Sequence, residues 1–487
     1  MIWEIALVVL YTLSLSIIFI FSVGQAYLLF FYLKSKKETD VIPLLPAEIP
    51  KVTIQLPLFN ELYVVERLIK AVCDLNYPKA KLEIQVLDDS NDESLAYTKK
   101  IVAQKQALGF DISHITREKN IGFKAGALQH GLNQAKGEFI AIFDADFLPG
   151  KDFLNQLIPY FNKKEIGMVQ SRWGHINEDY SLLTKVQGFG LDGHFTIEQT
   201  GRNKAGLFIN FNGTAGIWRK TCINDAGGWQ HDTLTEDLDL SYRAQLKGWK
   251  FEYVEDVCTP AELPVELNAF RSQQHRWTKG AIETSKKMVS QIWKADVGFK
   301  KKLFGTLHLM NSYVFIFVFL SSILSIPVLL IKNTTPNISP IYFQLMSVFL
   351  IGFVIVAIFY WVASQSKKEG LKTFAKLFPL FLSVSMALSF HNSMAVFEGF
   401  FGFKSDFIRT PKFNITKLKE TFNANIYVQQ QLPKVFFVEL LLSFYFLSGL
   451  AIAIYYQDFG LFPFHLMLFI GFSILNFYSI KSSLSRI

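Results

Sequence analysis

The sequence predicts an α/β unit on a parallel sheet, joined at both ends to apolar helices long enough to cross a bilayer. Three observations carry this. Uncharged runs of spanning length fill much of the first 33 residues and of the chain beyond residue 305. Between them, from about Pro50 to Pro264, short apolar strands alternate with segments of helical spacing. Acidic clusters close two of those strands, where parallel sheets place their ligand crevice.

The composition agrees. Charged residues are 18% of the 487, against roughly 25% in soluble proteins, and 48 residues are Phe. Mean hydropathy is +0.24. These values exclude a disordered chain and argue against a wholly soluble one. Lys+Arg 49 less Asp+Glu 41 leaves +8. The basic residues sit beside the apolar runs, which fits a lipid bilayer with cytoplasmic flanks and argues against nucleic acid as a partner. Cys73, Cys222 and Cys258 are far apart with no C-x-x-C, so a reducing compartment is expected, without a disulfide framework or a zinc site.

The first apolar run is Ile5 to Leu33. Glu4 precedes it and no basic stretch does, so a membrane helix (1–36) is expected rather than a cleaved signal. Lys34, Lys36 and Lys37 follow, which puts the N-terminus outside and the next segment in the cytoplasm. The soluble unit spans 50–264. Within it Val52–Phe59 reads as a buried strand, and Glu61–Leu75 as a helix stopped by Asn76-Tyr77-Pro78. Leu82–Leu87, Asp111–Thr116 and Phe139–Phe143 read as further strands, and Leu238–Lys247 as a helix. Alternating strands and helices imply a parallel sheet covered on both faces.

Residues 265–304 read as interfacial helices. Two membrane helices are expected in 305–366 (Gly305–Ile331 and Ile341–Ser366) and two more in 433–487 (Leu440–Gln457 and Phe459–Ile480). Leu377–Phe397 is also long enough to cross. However, Lys367, Lys368, Lys372 and Lys376 precede it, and the basic stretch Lys404–Lys419 follows. With both flanks cytoplasmic, 371–432 is read as an interfacial or re-entrant helix plus a loop, which His391, Asn392 and Ser393 fit. Five crossings with the C-terminus inside are favoured, and six are the alternative. Only Lys481–Ile487 follow the last apolar run, so no further regulatory domain is expected.

Asp88-Asp89 ends one strand and Asp144-x-Asp146 another. A lone Asp at such a place is often only a turn or cap residue. Residues i and i+2 point the same way, so both carboxylates of the second pair can face one hard cation, Mg²⁺ or Mn²⁺. Asn120 to Gly126 carries two glycines and Lys124, which could meet a ribose or phosphate; the G-x-x-x-x-G-K-[ST] pattern is absent. Glu236-Asp237 opens a helix, where acidic groups complement the dipole but could equally serve as a base. Gln273-Gln274-His275-Arg276-Trp277 supplies a planar fork for a diphosphate and a flat face for a sugar, or an interfacial anchor. His275 has no partner His at metal spacing.

Taken together, these motifs resemble processive, membrane-embedded family 2 glycosyltransferases. The likeness is closest to the cellulose synthase-like A and C proteins, which are mannan, glucomannan or β-glucan synthases. The family order D, D-x-D, E-D, Q-x-x-R-W is read here as Asp88/Asp89, Asp144-x-Asp146, Glu236-Asp237 and Gln273-x-x-Arg276-Trp277. PLFNE (57–61), GFKAGAL (122–128), AIFDADF (141–147) and FNGTAGIWR (211–219) extend the likeness over about residues 50–300. It implies a GT-A (Rossmann-like) catalytic domain fused to an α-helical transmembrane region. It also implies nucleotide-sugar contacts from Phe59, Glu61, Asp88, Asp89, Lys124, Asp144, Gln273 and Arg276. Asp144 and Asp146 would hold Mg²⁺ or Mn²⁺. Asp237, beside Glu236, would be the base, and Trp277 would stack the acceptor sugar. Phe211, Asn212, Gly213 and Thr214 would form the mouth of the acceptor path. Phe407-x-x-Thr410-x-Lys412 is similar to the family's F-x-V-T-x-K gating loop, with Arg409 for the usual Val and Pro411 after Thr410.

The implied reaction is inverting hexosyl transfer from UDP-glucose or GDP-mannose to a growing β-linked polysaccharide, coupled to export. The expected setting is a multi-pass protein of the plasma (bacterial inner) membrane with its catalytic domain cytoplasmic. The rivals are a transferase adding one sugar to a lipid or short acceptor, and a nucleotide-binding transporter or scaffold.

Overall fold

The computed structural model describes all residues except 1, 38–42, 336–337, 368–369, 404–409, 416–431 and 485–487. The soluble unit is built on a seven-stranded sheet of order β3-β2-β1-β4-β6-β5-β7. The strands are β1 (Val52–Leu58), β2 (Leu82–Asp88), β3 (Asp111–Ile115), β4 (Phe139–Ile142), β5 (Ile166–His175), β6 (Gly216–Arg219) and β7 (Lys250–Ala261). The four strands expected from sequence are present nearly as read. The sheet is not purely parallel: β6 runs antiparallel to both β4 and β5. The chain reaches β6 through a tight return in which Gly213 has φ 80° and Ala215 φ 56°.

The strands are covered on both sides. Val52, Ile54 and Leu56 of β1 pack against Leu68, Ile69 and Val72 of the helix Val65–Cys73. On the other face Ile140 and Ile142 of β4 meet Leu128 and Leu132 of the helix Phe123–Gln134. Polar residues on β1 and β2 are buried in pairs, with Thr53 donating to Glu83 and Gln55 Nε2 donating to Gln85 Oε1 at 3.0 Å. Pairing removes the penalty that a lone buried amide would carry.

Among the described residues, six helices are long and apolar enough to cross a membrane: Ile2–Ser35, Asn311–Thr334, Pro340–Gln365, Leu371–Phe401, Val435–Tyr455 and Phe462–Ser483. The run read as Gly305–Ile331 is divided. Its first residues belong to a helix Phe299–Leu309, and the chain turns at Met310 before the longer helix begins. Leu371–Phe401 is one continuous helix with Pro379 inside it.

Contacts at the helix ends sort them into two levels. Near the sheet unit, Lys36 pairs with Glu255 at 3.0 Å and Lys367 with Asp192 at 2.5 Å. Arg271 pairs with Glu439 and lies 3.2 Å from Ser479 Oγ. At the far level, Lys332 pairs with Asp458 at 2.7 Å, and Thr335 Oγ1 donates to Glu4 Oε1 at 3.2 Å. Leu371–Phe401 differs from the other five, because one of its ends touches the sheet unit and the other the helix Leu267–Lys294 that follows it. Phe374 and Phe381 pack on Phe189, and Glu398 lies 2.8 Å from His275. Its middle crosses Phe462–Leu484 at Gly471, where a Cβ would sit 2.0 Å from the Ser383 carbonyl oxygen.

Candidate active site

The cleft lies at the carboxyl ends of β1, β2 and β4 and has a cavity volume of about 260 Å³. Each wall is set by local chemistry. After β1, Asn60 adopts φ 57°, its N–H donates to Ser90 Oγ at 2.7 Å, and its Oδ1 accepts from Asn91 N at 3.0 Å. This staple joins the loops after β1 and β2 and places Phe59, Glu61 and Asp89 on one side of the cleft. Asp89 is clamped by Arg117, whose Nε donates to Oδ1 at 2.9 Å. Arg117 NH1 also donates to the Ile121 carbonyl at 2.9 Å, so the clamp fixes the loop that leads to Lys124.

Asp88 is placed differently from its neighbour. It is buried, faces away from the cleft, accepts Ser90 N at 3.0 Å and sits 2.9 Å from His114 Nε2. Both of its oxygens are used within the fold, which leaves Asp89 as the member of the pair in the cleft.

After β4, Asp144 N donates to Thr214 Oγ1 at 2.9 Å. Lys124 Nζ lies 2.6 Å from Asp144 Oδ1 and 3.9 Å from Glu236 Oε1, and it donates to the Gly213 carbonyl at 2.9 Å. Lys412 Nζ lies 2.6 Å from Asp146 Oδ2. Burial works against the Lys124 charge, but Asp144 and then Glu236 outweigh it, and its pKa is raised.

Glu236-Asp237 begins the helix Glu236–Leu246. Asp237 Oδ1 accepts the N–H of Leu238 at 2.8 Å. A Cβ on Gly213 would come within 3.0 Å of Asp237 Oδ2, so this glycine permits the close approach. The FNGT loop is tied to the same helix, because Phe211 N donates to Ser241 Oγ at 2.9 Å. Asn212 and Gly213 line the cleft. Phe211 and Thr214 do not: Phe211 is buried against Trp218, and Thr214 is buried behind Asp144. Burial first, and then the neighbouring Glu236 charge, push Asp237 up to about 7. Burial also raises Glu236, against the pull of Lys124. Both keep some surface, which lines the cleft.

Gln273, Arg276 and Trp277 sit on the helix Leu267–Lys294 at i, i+3 and i+4, so they share one face, and all three line the cleft. Glu266 caps this helix by accepting Ala269 N at 3.2 Å. Its flank is pinned to the turn that opens the Asp237 helix, with Leu234 N donating to Glu283 Oε2 at 2.9 Å. Burial lowers the Arg276 pKa, while Asp144, Glu236, Asp237 and Asp146 hold it up. Thr410 and Lys412 complete the lining, and Phe407 lies outside the described residues. Asp89, Asp146, Asp237 and Trp277, spread over the sequence, therefore meet in one pocket. Trp173, His175, Arg117 and Glu262, which no motif singled out, also form or support its walls.

No three His, Cys, Asp or Glu side chains gather at metal spacing among the described residues. Asp144 and Asp146 therefore offer a cation two carboxylates and no closed cage. Mg²⁺ and Mn²⁺ fit that arrangement when substrate phosphates supply further ligands.

A mixed Rossmann-like sheet with these carboxylates at its strand ends defines the GT-A fold of glycosyltransferases. Residues 50–280 match the family model described as glycosyltransferase like family 2, and they form a domain of that kind. It is 39% identical over 351 residues to glucomannan 4-beta-mannosyltransferase 2 of Arabidopsis thaliana, covering 68% of this chain and 65% of that one. It is 45% identical over 248 residues to glucomannan 4-beta-mannosyltransferase 1 of Oryza sativa subsp. japonica, covering 50% and 48%. The chain thus spans less than two thirds of the length of either relative. Among solved structures, the mannosyltransferase PcManGT from Pyrobaculum calidifontis, in complex with GDP-Man and Mn²⁺, superposes with a TM-score of 0.56 at 16% identity. That superposition covers 81% of this chain and 100% of that one, and the likeness is one of fold.

Proposed function

We propose that this chain transfers hexosyl groups from a nucleotide-diphosphate sugar to the growing end of a β-linked polysaccharide. GDP-mannose is favoured over UDP-glucose because the similar plant proteins are named mannosyltransferases. The observation that carries the reading is a single one: Asp237, pushed up to about 7, shares one cleft with Asp89, Asp144, Asp146, Arg276 and Trp277.

In this reading Phe59, Glu61 and Asp89 hold the nucleoside end. Lys124, Gln273, Arg276 and Lys412 face the diphosphate, and Trp277 carries the acceptor sugar. Asp237 takes the proton of the acceptor hydroxyl as its oxygen bonds to the anomeric carbon and the carbon–diphosphate bond breaks on the opposite face. The diphosphate departs with the electron pair, and Arg276 and Lys124 meet its growing charge. One displacement inverts the centre, so an α-linked donor gives a β-linkage. A divalent cation on Asp144 and Asp146 would neutralise the departing diphosphate.

Six apolar helices are consistent with a multi-pass membrane protein. We place the five helices that connect the two levels across the bilayer, and Leu371–Phe401 along its cytoplasmic face, since its ends touch the sheet unit and the helix Leu267–Lys294. The product would leave through the helices next to Trp277, and the plasma (bacterial inner) membrane is the proposed setting.

The test is incubation of the purified full-length protein with GDP-mannose and UDP-glucose, with Mg²⁺ or Mn²⁺, followed by linkage and length analysis. A β-linked polymer made from one donor is expected, together with loss of activity in EDTA and its return with the cation. Nucleotide release with no glycan would overturn the reading, and a product longer by one sugar only would make the enzyme non-processive.

A further inference from the structure

Residues 410–415 run irregularly along the cleft, and one carboxylate fastens them. Glu262 Oε1 accepts the N–H of Phe413 at 2.9 Å and of Ile415 at 3.3 Å. Its Oε2 lies 2.7 Å from Arg67 NH2, and Arg67 NH1 donates to Asn414 Oδ1 at 2.7 Å. Asn414 has φ 59°, which turns the two flanking N–H groups toward the same oxygen. Phe413 and Ile415 are buried against Val265, with Tyr180 beside them. The Glu262 side chain is 2% exposed and that of Arg67 16%. A carboxylate so far from water is tolerated only when both its oxygens are engaged, and here part of that engagement comes from the segment's own backbone. Directly before these anchored residues stands Lys412, on Asp146.

We propose that Glu262, oriented by Arg67, is a positioning residue that latches segment 410–415 and thereby holds Lys412 at the diphosphate end of the cleft. The inference rests on the donor site proposed above. Glu262 and Arg67 come from distant parts of the chain, one after β7 and the other on the Val65–Cys73 helix. Both are tied to the rigid sheet unit, so the position of Lys412 is set by the catalytic domain and not by the membrane helices that flank the segment in sequence.

Two measurements on the full-length protein test this. The first is hydrogen exchange, read by mass spectrometry on peptides covering 410–415. Exchange should be slow in the wild type and about tenfold or more faster in Glu262→Ala and in Arg67→Ala, with Glu262→Gln, which keeps an acceptor oxygen, close to wild type. Equal exchange in all four proteins would overturn the latch. The second is binding of GDP-mannose and of UDP-glucose with Mn²⁺. Lys412→Ala and Arg67→Ala should each weaken binding about tenfold, and the double variant should be no weaker than either single one. Additive losses would show that Arg67 acts on the donor by another route and would overturn the positioning role. If the wild type binds neither nucleotide sugar, the proposed donor fails, while the exchange comparison still decides the latch.

Discussion

Asp237 is the residue on which the proposed chemistry turns. Asp237→Asn removes the proton acceptor and keeps the shape, so transfer should fall by about a thousandfold while donor affinity stays within about threefold. Single-turnover assays and nucleotide binding on the same preparation check this. The pH dependence has a definite sign. A base pushed up to about 7 is protonated and idle below that value, so kcat/KM should rise with pH through about 7. Its slope should be near tenfold per unit on the acid side. A flat profile between pH 5.5 and 8 would remove Asp237 from this role. Gly213 offers a sharper probe. It sits at φ 80°, and a Cβ there would lie 3.0 Å from Asp237 Oδ2 and 3.4 Å from Lys124 Nζ. Gly213→Ala should therefore leave the fold intact by circular dichroism yet lower kcat about a hundredfold by displacing the base.

At the scale of elements, the Leu267–Lys294 helix joins the two halves of the molecule. It carries Gln273, Arg276 and Trp277 into the cleft, and Arg271 pairs with Glu439 in the helix bundle. Breaking one side of a buried pair leaves an uncompensated charge. Glu439→Ala should thus destabilise by about 3–5 kcal/mol, and the double change with Arg271→Met by less. Thermal melting of the detergent-solubilised protein, read as Tm, checks the order. The early strands were legible because Val52, Ile54 and Leu56 of β1 and Leu82, Ile84 and Val86 of β2 recur at the strand period, and β4 is a continuous apolar run. β5 and β7 were not, since Gln170, Ser171 and Arg172 interrupt one, and Glu252, Glu255 and Asp256 the other. β6 was not read either, since Gly216 opens it and Arg219 closes it, which leaves Ile217 and Trp218 alone to signal a strand. The site shows the same division. Carboxylates at strand ends and the Gln-Arg-Trp face follow from local spacing, but Arg117, Arg67 and Glu262 act on partners far away in sequence. Asp88 and Asp89 are adjacent and look equivalent in sequence, and they are distinguished by His114 on the neighbouring strand, which holds the first, and by Arg117, which clamps the second.

Across the whole molecule, the helix ends fall at two levels, and in the proposed arrangement five helices join them while Leu371–Phe401 has both ends at one. Single cysteines replacing Lys332 or Asp458 should react with an impermeant maleimide on one side of sealed vesicles, and a cysteine at Lys367 only from the other. A cysteine at Lys372 and one at Phe403, either side of the long helix, should share the side of Lys367. Opposite labelling of these two would make that helix a sixth crossing. The anchoring of the Leu267–Lys294 helix bears on how sugars move. Trp277 is six residues from Arg271 on one rod, and that rod is bolted to Glu439 and Ser479. A ledge so fixed cannot walk along with its cargo. In the proposed reaction the newest sugar would have to glide off a stationary aromatic surface after each addition, and the grip of that surface would then set how quickly the thread leaves.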